Sequence, residues 1–548
     1  MINKYKFYIL LLFLGLHLTV FSQWNYNPSI NTPVSTSSND QQDVRIVTDS
    51  KGGAIITWVD FRNNISLADI FVQRVNAAGY PLWTSNGKAI CTNAADQTAV
   101  SIAEAGNGSA ILVWQDWRNG NRDIYTQKVD SSGNILWTAN GVAVCVKSYN
   151  QSSPKIISDA LGGAIVVWED SSAGSWDIYA QRISNTGITM WTTNGVIICN
   201  AADSQINPKI DLDGNGGGII TWQDKRNTGD YNIYTQHINA SGVVQWTANG
   251  VVICNAVGNQ TNPKIEPNGS GGAIIGWQDK RGVDYDIYVQ SINASGIVQW
   301  TANGVPVCTA TGSQSAVDMT SDGVNGVIVS WKDLRSGKPV IYASMINSSG
   351  TVQWSSNGLA LGNGSNPNIA GNSAGGAIIT WQDSTSGTSN VYAQNISSSG
   401  TKQWGATAID VGTAVDDQLG PKNVATGNGG VIFAWQDYRN GNNFDVYAHH
   451  LAPNGTSGIA DLLNQNKTVS CFPNPFNLQT TFFINTQIPI EQWTLTIYDM
   501  VGKTVFSKTV ANSKSVTFSR NNLSTGIYFY EISNQTKVFG NGKLSITD

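Results

Sequence analysis

Apolar and polar residues alternate with a period of two through most of the chain, and no long stretch keeps the 3.6-residue rhythm of an amphipathic helix. The segment from Thr261, TNPKIEPNGSGGAIIGWQDKRGVDYDIYVQSINASGIVQWTANGVPVC, is representative. It predicts four strands, at PKI, GGAIIGWQD, DIYVQSIN and IVQW, separated by Gly-rich or Asn/Ser-Gly turns. The chain is therefore expected to be all-β.

The same order of elements recurs. W-x-D stands at Trp58, Trp114, Trp168, Trp222, Trp277, Trp331, Trp381 and Trp435, at steps of 50 to 56 residues. A period of this size belongs to a solenoid, a propeller or an array, and four antiparallel strands per repeat describe a propeller blade. A second Trp follows at Trp83, Trp137, Trp191, Trp246, Trp300, Trp354 and Trp404, one short of the number of W-x-D units. Its missing copy is Trp24, where QWNYNPS resembles QWTANGV. An N-terminal strand that completes the last unit is needed by a ring but not by an open solenoid. The expectation is an eight-bladed β-propeller over residues 23–458, with four-stranded blades of about 54 residues, closed by the N-terminal strand. Closure would also remove long exposed sheet edges. A chain of 548 residues is too long for one ordinary core, so a further unit is expected.

Composition narrows the partners. Charged residues make up only 13% of the chain and the net charge is −5, which gives no reason to expect nucleic acid or an anionic membrane surface. At the N-terminus Lys4 and Lys6 precede the apolar run from Tyr8 to Phe21, with Val20 and Ser22 placed at −3 and −1 of a cut before Gln23. Residues 1–22 read as a secretory signal peptide, and no other stretch could span a bilayer, so a mature chain without a transmembrane helix is expected. Export permits disulfides, yet Cys91, Cys145, Cys199, Cys254 and Cys308 each follow a Trp by eight residues in successive repeats. Equivalent points of neighbouring repeats lie beyond the roughly 7 Å Cα limit for a bridge, so free, buried, apolar thiols are expected, with Cys471 alone near the C-terminus.

Beyond Gly458 the repeat stops. A linker over 459–469 leads into residues 470–548, whose short alternating strands turn at Pro473-Asn474-Pro475, at Val501-Gly502-Lys503 and at Ser524-Thr525-Gly526. That pattern predicts a small Ig-like β-sandwich. Pro473-Asn474-Pro475, Tyr498-Asp499 with Gly502-Lys503, Leu523-Ser524-Thr525-Gly526-Ile527-Tyr528 and the closing Gly542-Lys543-Leu544 also resemble the type A C-terminal sorting domain of the type IX secretion system. The resemblance implies a Gram-negative bacterium, passage through the periplasm behind the signal peptide, and recognition of this domain by the type IX machinery. It further implies release or attachment at the cell surface, and it is silent about the repeats.

Within the repeats, the Asp of W-x-D is present in every unit, and Arg follows two residues later at Arg62, Arg118, Arg226, Arg281, Arg335 and Arg439, replaced by Ser172 and Thr385. A constellation copied eight times is not one catalytic site, because catalysis needs different groups converging on one point. Local roles are expected instead. Asp would accept amides of the following turn, Arg would bridge to the carboxylate that opens the next strand, and Trp would fill the wedge between blades. Departures from the repeat carry more functional information. The loops between second and third strands hold Trp117, Trp176, Tyr231, Tyr285, Tyr438 and Phe444, expected to ring one face and suited to stacking on sugars or to protein contact. Thirteen residues before each W-x-D Trp stand Arg45, Ser101, Lys155, Lys209, Lys264, Asp318, Asn368 and Lys422. If Arg45, Lys155, Lys209, Lys264 and Lys422 reach a central channel they would draw anions such as a sugar carboxylate or sulfate; the plainer role is protection of a strand edge.

Other motif matches fail on context. Gly371-Asn372-Ser373-Ala374-Gly375 has no helix after it to form a nucleophile elbow, and Asp211 to Gly216 lacks the bidentate Glu of a calcium loop. The four His form no metal set, and no catalytic residue, metal or cofactor is assigned. The expected protein is a monomeric, secreted or surface-attached binding module, an adhesin for glycan or protein. The alternative is a glycan-active hydrolase or lyase using Glu104, Glu169 or Asp211.

Overall fold

The structure is a computed structural model that describes residues 24–25, 27–227, 229–456, 469–472, 474, 476–484, 492–499, 503–520, 522–534 and 538–547. Residues 1–22, read above as a signal peptide, residues 459–468 of the expected linker, Pro473, Pro475 and Gly502 lie outside them. The chain divides into two units, Met1–Gly458 and Ile459–Asp548. The described residues contain no helix.

The first unit holds eight four-stranded antiparallel sheets. In sheet 1, β2 (Gln41–Thr48), β3 (Ala54–Asp60), β4 (Asp69–Val75) and β5 (Lys88–Cys91) pair in chain order, and sheets 2 to 7 repeat the arrangement. Sheet 8 draws three strands from the end of the unit, Gln418–Ala425, Val431–Asp437 and Asp445–Leu451. Its fourth is β1 (Thr32–Ser35), antiparallel to Asp445–Leu451 with Thr32 opposite Ala448. The N-terminal segment therefore supplies the strand that the last repeat lacks.

The fourth strands lie later than the alternation predicts. In sheet 5 the strand is Val305–Cys308, and IVQW forms only an isolated bridge between Ile292 and Val298. The cause is Gln290, whose Oε1 accepts the amide of Trp300 at 3.0 Å and whose Nε2 donates to the Thr301 carbonyl at 2.8 Å. A side chain thus satisfies the backbone at Trp300, and pairing resumes only after the Asn303-Gly304 turn. In sheet 4 the corresponding Gly250 has φ of +90°, and a Cβ there would lie 2.5 Å from Trp222 Cη2, so glycine is what lets the turn close over the ring.

Each first strand carries a bulge whose extra residue is left-handed: Asp43, Ala99, Ser153, Asn207, Asn262, Ala316, Asn366 and Gly420, with φ from 52 to 60°. The first strands of successive sheets pack side by side, and that of sheet 1 also packs against that of sheet 8. The core is distributed in the same way, as eight apolar clusters that each join two sheets. One of them unites Val44, Ile56 and Trp58 of sheet 1 with Val34, Ile432 and Val446 of sheet 8. Every W-x-D Trp is at most 1% exposed. Burial of 150–250 Å² at roughly 25 cal/mol per Å² makes each ring worth about 4–6 kcal/mol before entropy is subtracted.

The second unit is a pair of sheets around one core. Val469–Phe472, Gln479–Ile484 and Ser515–Ser519 form one, and Thr504–Ala511, Gln492–Tyr498, Gly526–Ser533 and Val538–Ile546 the other. Phe482 meets Tyr530 edge-on at 4.8 Å between ring centres, and Trp493, Leu495 and Ile532 are fully buried with them.

Candidate functional site

The W-x-D-x-R motif is a joint between sheets. Trp222 Nε1 donates to Asp224 Oδ2 at 2.8 Å, and the Arg226 amide and Nε reach Asp224 Oδ1 at 3.0 and 2.8 Å. Arg226 Nη2 completes a fork onto Asp224 Oδ2, then touches the Asn249 carbonyl at 2.8 Å and Cys199 Sγ of the preceding sheet at 3.0 Å. The guanidinium lies 4.0 Å over the Tyr234 ring. Arg thus grips the Asp of its own motif and not, as expected, the carboxylate opening the next strand; that group takes an amide instead, as in Asn63 to Asp69 at 2.7 Å. The five cysteines of the repeats are buried and unbridged, yet they are more than apolar filler, since each Sγ faces the Asp of the next sheet; Cys471 is unbridged and half-buried. Burial pushes the Cys199 thiol up to about 12.

Where the motif lacks Arg, the joint is rebuilt. In sheet 3, beside Ser172, Lys147 from the end of sheet 2 donates to Asp170 Oδ2 at 3.2 Å and sits 4.0 Å over Tyr179. In sheet 7, Trp381 Nε1 turns to the Asn363 carbonyl at 2.7 Å. The Trp168 indole N–H, in sheet 3, is buried without a hydrogen-bond partner among the described residues.

The six loop aromatics lie at one end of the sheets, and all are half-buried. Trp176, Tyr231, Tyr285 and Phe444 share one place, just before a third strand. Their carbonyls accept the amide of the Gln that opens the next sheet, at 2.6 Å for Trp176 and 2.7 Å for the others. Trp117 and Tyr438 each follow a W-x-D. Cations stand beside three of these rings, Arg122 at 5.1 Å from Trp117, Lys225 at 5.8 Å from Tyr231 and Lys280 at 5.1 Å from Tyr285; Tyr438 and Phe444 pair with each other at 5.0 Å. Sheets 2, 3, 4 and 5 therefore each contribute an aromatic, whereas sheets 6 and 7 offer Lys338-Pro339 and Thr388-Ser389 at the same place. Tyr149, on the loop from sheet 2 to sheet 3 at the same end, is 68% exposed. The reading of the loops missed it because it lies outside the second-to-third-strand connections.

The polar residues of the first strands pair within a strand or with the adjacent sheet. Arg45 is neutralised by Asp43 at 2.6 Å, and Lys264 by Asp318 at 2.8 Å, while Asn368 Nδ2 donates to the other Asp318 oxygen at 2.7 Å. Among the described residues Lys155, Lys209 and Lys422 have no carboxylate within ion-pair distance. Lys155 donates to the Pro154 carbonyl at 3.1 Å, and Lys209 to Asn207 Oδ1 and the Pro208 carbonyl. Burial, followed by repulsion from Arg45, pulls both Lys155 and Lys422 down to about 8. Lys209 is held well below the usual lysine range by burial and then by Lys155 and Lys264. Asp318 of sheet 6 thus joins Lys264 of sheet 5 to Asn368 of sheet 7, whose Oδ1 accepts the Asn423 amide of sheet 8 at 2.9 Å.

Two residues further along the same strands stand Asp211 and Glu266, in neighbouring sheets, among Val47, Ala103, Ile157, Thr320, Ala370 and Val424. Burial raises Asp211 to about 6, and burial, then Asp211 and Asp318, raise Glu266 well above the usual carboxylate range. Glu266 Oε2 accepts the Ser321 amide at 3.1 Å. Glu266 escaped the sequence reading because one carboxylate among eight variable positions carries no signal until its neighbour in space is known. Glu169 accepts the Asn207 amide at 2.7 Å, and Glu104 is engaged by Ser50 of sheet 1 at 2.5 Å. Among the described residues no group of three or more His, Cys, Asp or Glu could hold a metal ion.

In the second unit, Asn474 ties the first sorting motif to the last, donating to the Lys543 carbonyl and accepting the Ser545 amide, both at 2.8 Å. The Lys503 amide closes on Asp499 Oδ1 at 2.9 Å, and Tyr528 donates to the Ser524 carbonyl at 3.0 Å, at the start of the Gly526–Ser533 strand. Gly542 lies against Tyr530, whose hydroxyl would be 2.7 Å from an added Cβ.

Residues 470–546 match the family model of the secretion system C-terminal sorting domain. This unit is a type IX sorting domain, and the protein is secreted or carried at the cell surface. No curated protein matches the chain. Among solved structures, a polysaccharide lyase is similar at 9% identity over 70% of this chain and 92% of its own, with a TM-score of 0.38. The GH93 α-L-arabinofuranosidase of Fusarium graminearum with arabinobiose is similar at 10% identity over 66% and 94%, TM-score 0.34. An endo-arabinase from Bacteroides thetaiotaomicron is similar at 16% identity over 43% and 89%, TM-score 0.26. Likenesses with TM-scores this low carry no argument about activity.

Proposed function

We propose that the eight sheets are the blades of a closed propeller, and that this propeller is a ligand-binding module delivered to the cell exterior by the sorting domain. The closed ring is supported by β1 in sheet 8, by the apolar cluster shared between sheets 1 and 8, and by their packed first strands. The ligand we assign is an acidic glycan, bound at the end of the propeller that carries the second-to-third-strand loops. One observation carries this reading: consecutive blades 2 to 5 present Trp117, Trp176, Tyr231 and Tyr285, with Arg122, Lys225 and Lys280 beside three of them. Aromatic faces stack on sugar rings, and loops on a rigid scaffold are where binding residues concentrate. The flanking cations favour a polymer that bears carboxylate or sulfate. The absence of equivalents in blades 6 and 7 makes the surface one-sided, as a site for a chain of finite length requires.

Hydrolysis or lysis is the second reading, favoured only by the Asp211 and Glu266 pair. The deciding experiment screens the full-length protein against neutral, uronate-bearing and sulfated polysaccharides, with reducing-sugar release measured in parallel. Binding to acidic glycans that weakens with salt and is abolished by Trp176→Ala with Tyr231→Ala is the expected result. Product release would make the protein an enzyme, and failure to retain any glycan would remove the glycan assignment.

A further inference from the structure

Two residues before the acid that opens a third strand, sheet 5 departs from sheets 2 and 8. In sheet 2 that residue is Asn121, whose Nδ2 donates to four oxygens at once. They are the Arg122 carbonyl and Asp123 Oδ1, each at 3.3 Å, the Lys147 carbonyl at 3.0 Å and the Tyr149 carbonyl. Sheet 8 repeats this cage around Asn443 Nδ2, with the Phe444 carbonyl at 3.4 Å, Asp445 Oδ1 at 3.3 Å, and the Ser37 and Asn39 carbonyls at 3.3 and 2.7 Å. A second amide, Asn119 or Asn440, holds the other oxygen of the acid at 2.7 or 2.9 Å. Sheet 5 has neither amide: Gly282 stands in the place of Asn119, and Asp284 in that of Asn121. Asp286 therefore has no hydrogen-bond donor among the described residues, and burial, then Asp279 and Asp284, pushes it up to about 6. A second observation comes from Gln314, fully buried at the opening of sheet 6. Its backbone N–H donates to the Tyr285 carbonyl at 2.7 Å and its Nε2 to the Ala310 carbonyl at 3.0 Å and the Gly312 carbonyl, yet its Oε1 meets no donor among the described residues. The equivalent amide atom of Gln151 in sheet 2 lies 3.2 Å from the Arg122 carbonyl and 3.0 Å from Asp123 Oδ1, which aims Gln314 Oε1 at the Tyr285 carbonyl and Asp286. Oxygens brought together in this way are costly without a donor or a cation among them.

We propose that sheet 5 binds one calcium ion in the place that Asn121 Nδ2 takes in sheet 2, with Asp284, Asp286, Gln314 Oε1 and the Ala310 and Gly312 carbonyls as its ligands. Calcium accepts about six to eight oxygens in adaptable geometry, so a set drawn from two loops and completed by water suits it, whereas magnesium demands a near-ideal octahedron and gives up water reluctantly. The two acids balance the charge of the ion. One oxygen of Asp284 already accepts the Gly312 amide at 3.0 Å, which leaves the other for the metal. Of the cations on the same loop, Arg281 grips Asp279 at 2.6 Å and Lys280 stands 5.1 Å from the Tyr285 ring. No other sheet has two acids at these positions: sheet 4 has Asp230 with Asn232, sheet 3 Ser175 with Asp177, and sheet 1 Leu67 with Asp69. The ion ties the Tyr285 loop to the loop that enters sheet 6, and its binding does not rest on the glycan reading.

The test titrates the full-length protein, cleared of metal by chelator and dialysis, with calcium, magnesium or sodium chloride at matched ionic strength, by calorimetry at pH 7.5 without glycan. The expected result is one calcium per chain with a dissociation constant of about 0.1–1 mM, the range of extracellular calcium modules, and magnesium about tenfold weaker or less. Asp284→Asn installs the residue of sheets 2 and 8. It is expected to abolish calcium binding, while the metal-free variant keeps a Tm no lower than that of the metal-free parent. Asp230→Asn removes the single acid at this place in sheet 4 and should leave calcium binding unchanged. The proposal is overturned if calcium does not bind, if Asp284→Asn binds it as the parent does, or if Asp230→Asn loses it as well. It is also overturned if Asp284→Asn unfolds, since an amide that fits sheets 2 and 8 would then not fit sheet 5. Because no glycan is present in any arm, failure of the glycan reading leaves this result standing.

Discussion

The amide of Asp43 donates to Gln436 Oε1 at 2.7 Å, although 393 residues separate them. The same bond is made between sheets adjacent in sequence, from Asn207 to Glu169 at 2.7 Å, from Asn262 to Gln223 at 2.8 Å and from Gly420 to Gln382 at 2.9 Å. In each case the middle residue of W-x-D reaches the left-handed bulge of the next sheet. The seam between the first and last sheets is therefore made with the same parts as the other joints. Trp24 repeats the pattern, its Nε1 donating to the Ala77 carbonyl at 2.9 Å as Trp246 does to Ala294 at 3.0 Å.

Removing residues 24–35 is accordingly expected to open the seam. It deletes β1, uncovers Asp445–Leu451 as an unpaired edge, and empties the place of Trp24 beside Gly79 and His450. The expected outcome is loss of soluble monomer, measured by size-exclusion chromatography against the intact protein. An equally soluble, equally heat-stable truncated form would show that the seam is dispensable.

Asp224→Ala would leave Arg226 and the Trp222 indole without their shared acceptor in a site where the carboxylate has no exposure. Such a loss costs about 3–5 kcal/mol, and is expected as a clear fall in Tm. The same reasoning applies to a residue outside the motif. Lys147→Met should destabilise sheet 3, because Lys147 is the cation that Asp170 receives where Ser172 stands in place of Arg. A Tm unchanged by Lys147→Met would mean that the replacement cation is incidental.

Much of this was legible in the chain because the inter-sheet chemistry is local and repeated. An Asp at a strand end can accept the amide two residues on, as Asp224 does from Arg226, and Trp24 was recognisable as a displaced copy. The fourth strands were misplaced because a Gln side chain from the third strand takes over backbone bonds at the second Trp, which alternation cannot reveal. Arg was given the wrong carboxylate because two acids lie within its reach and only the packed turn selects between them. Lys155, Lys209 and Lys422 were visible as a periodic set, whereas their distinction from Arg45 and Lys264 depends on Asp43 and Asp318, one of which comes from another sheet.

Sheet 8 carries two consecutive histidines where other sheets have Gln and, often, a cation. His449 is fully enclosed and held down to about 3 by burial and then His450; His450, stacked 5.8 Å from Trp24, is held down to about 4 by burial. Both pKa values lie below the unfolded value of about 6.5, so the unfolded chain binds more protons between them. Stability is complete above pH 6.5 and falls as the pH drops towards 4, at about 1.4 kcal/mol per pH unit for each histidine. His449→Gln, which installs the residue of most other sheets, should flatten that slope in Tm measured from pH 7 to 4.5. Parallel curves for the two proteins would exclude His449 as a source of acid lability.

The last prediction concerns the thiols. Arg62 Nη2 meets Ser35 Oγ at 3.1 Å across the seam, in the position where Arg226 Nη2 meets Cys199 Sγ at 3.0 Å. Serine thus already does at one joint what cysteine does at four others, so what the joint needs from this residue is a small acceptor and not a reactive sulfur. Cys199→Ser should change stability by under about 1 kcal/mol, within the range of a neutral hydrogen bond exchanged for another. Reactivity should follow the same logic. Thiolate is the attacking species, and burial drives Cys91, Cys199 and Cys254 up to about 12 and Cys308 to about 11. The native protein is therefore expected to leave these thiols unmodified by Ellman's reagent at pH 8, and to release their full complement only in denaturant. Rapid native modification at Cys199 would show that the joint between sheets 3 and 4 opens in solution.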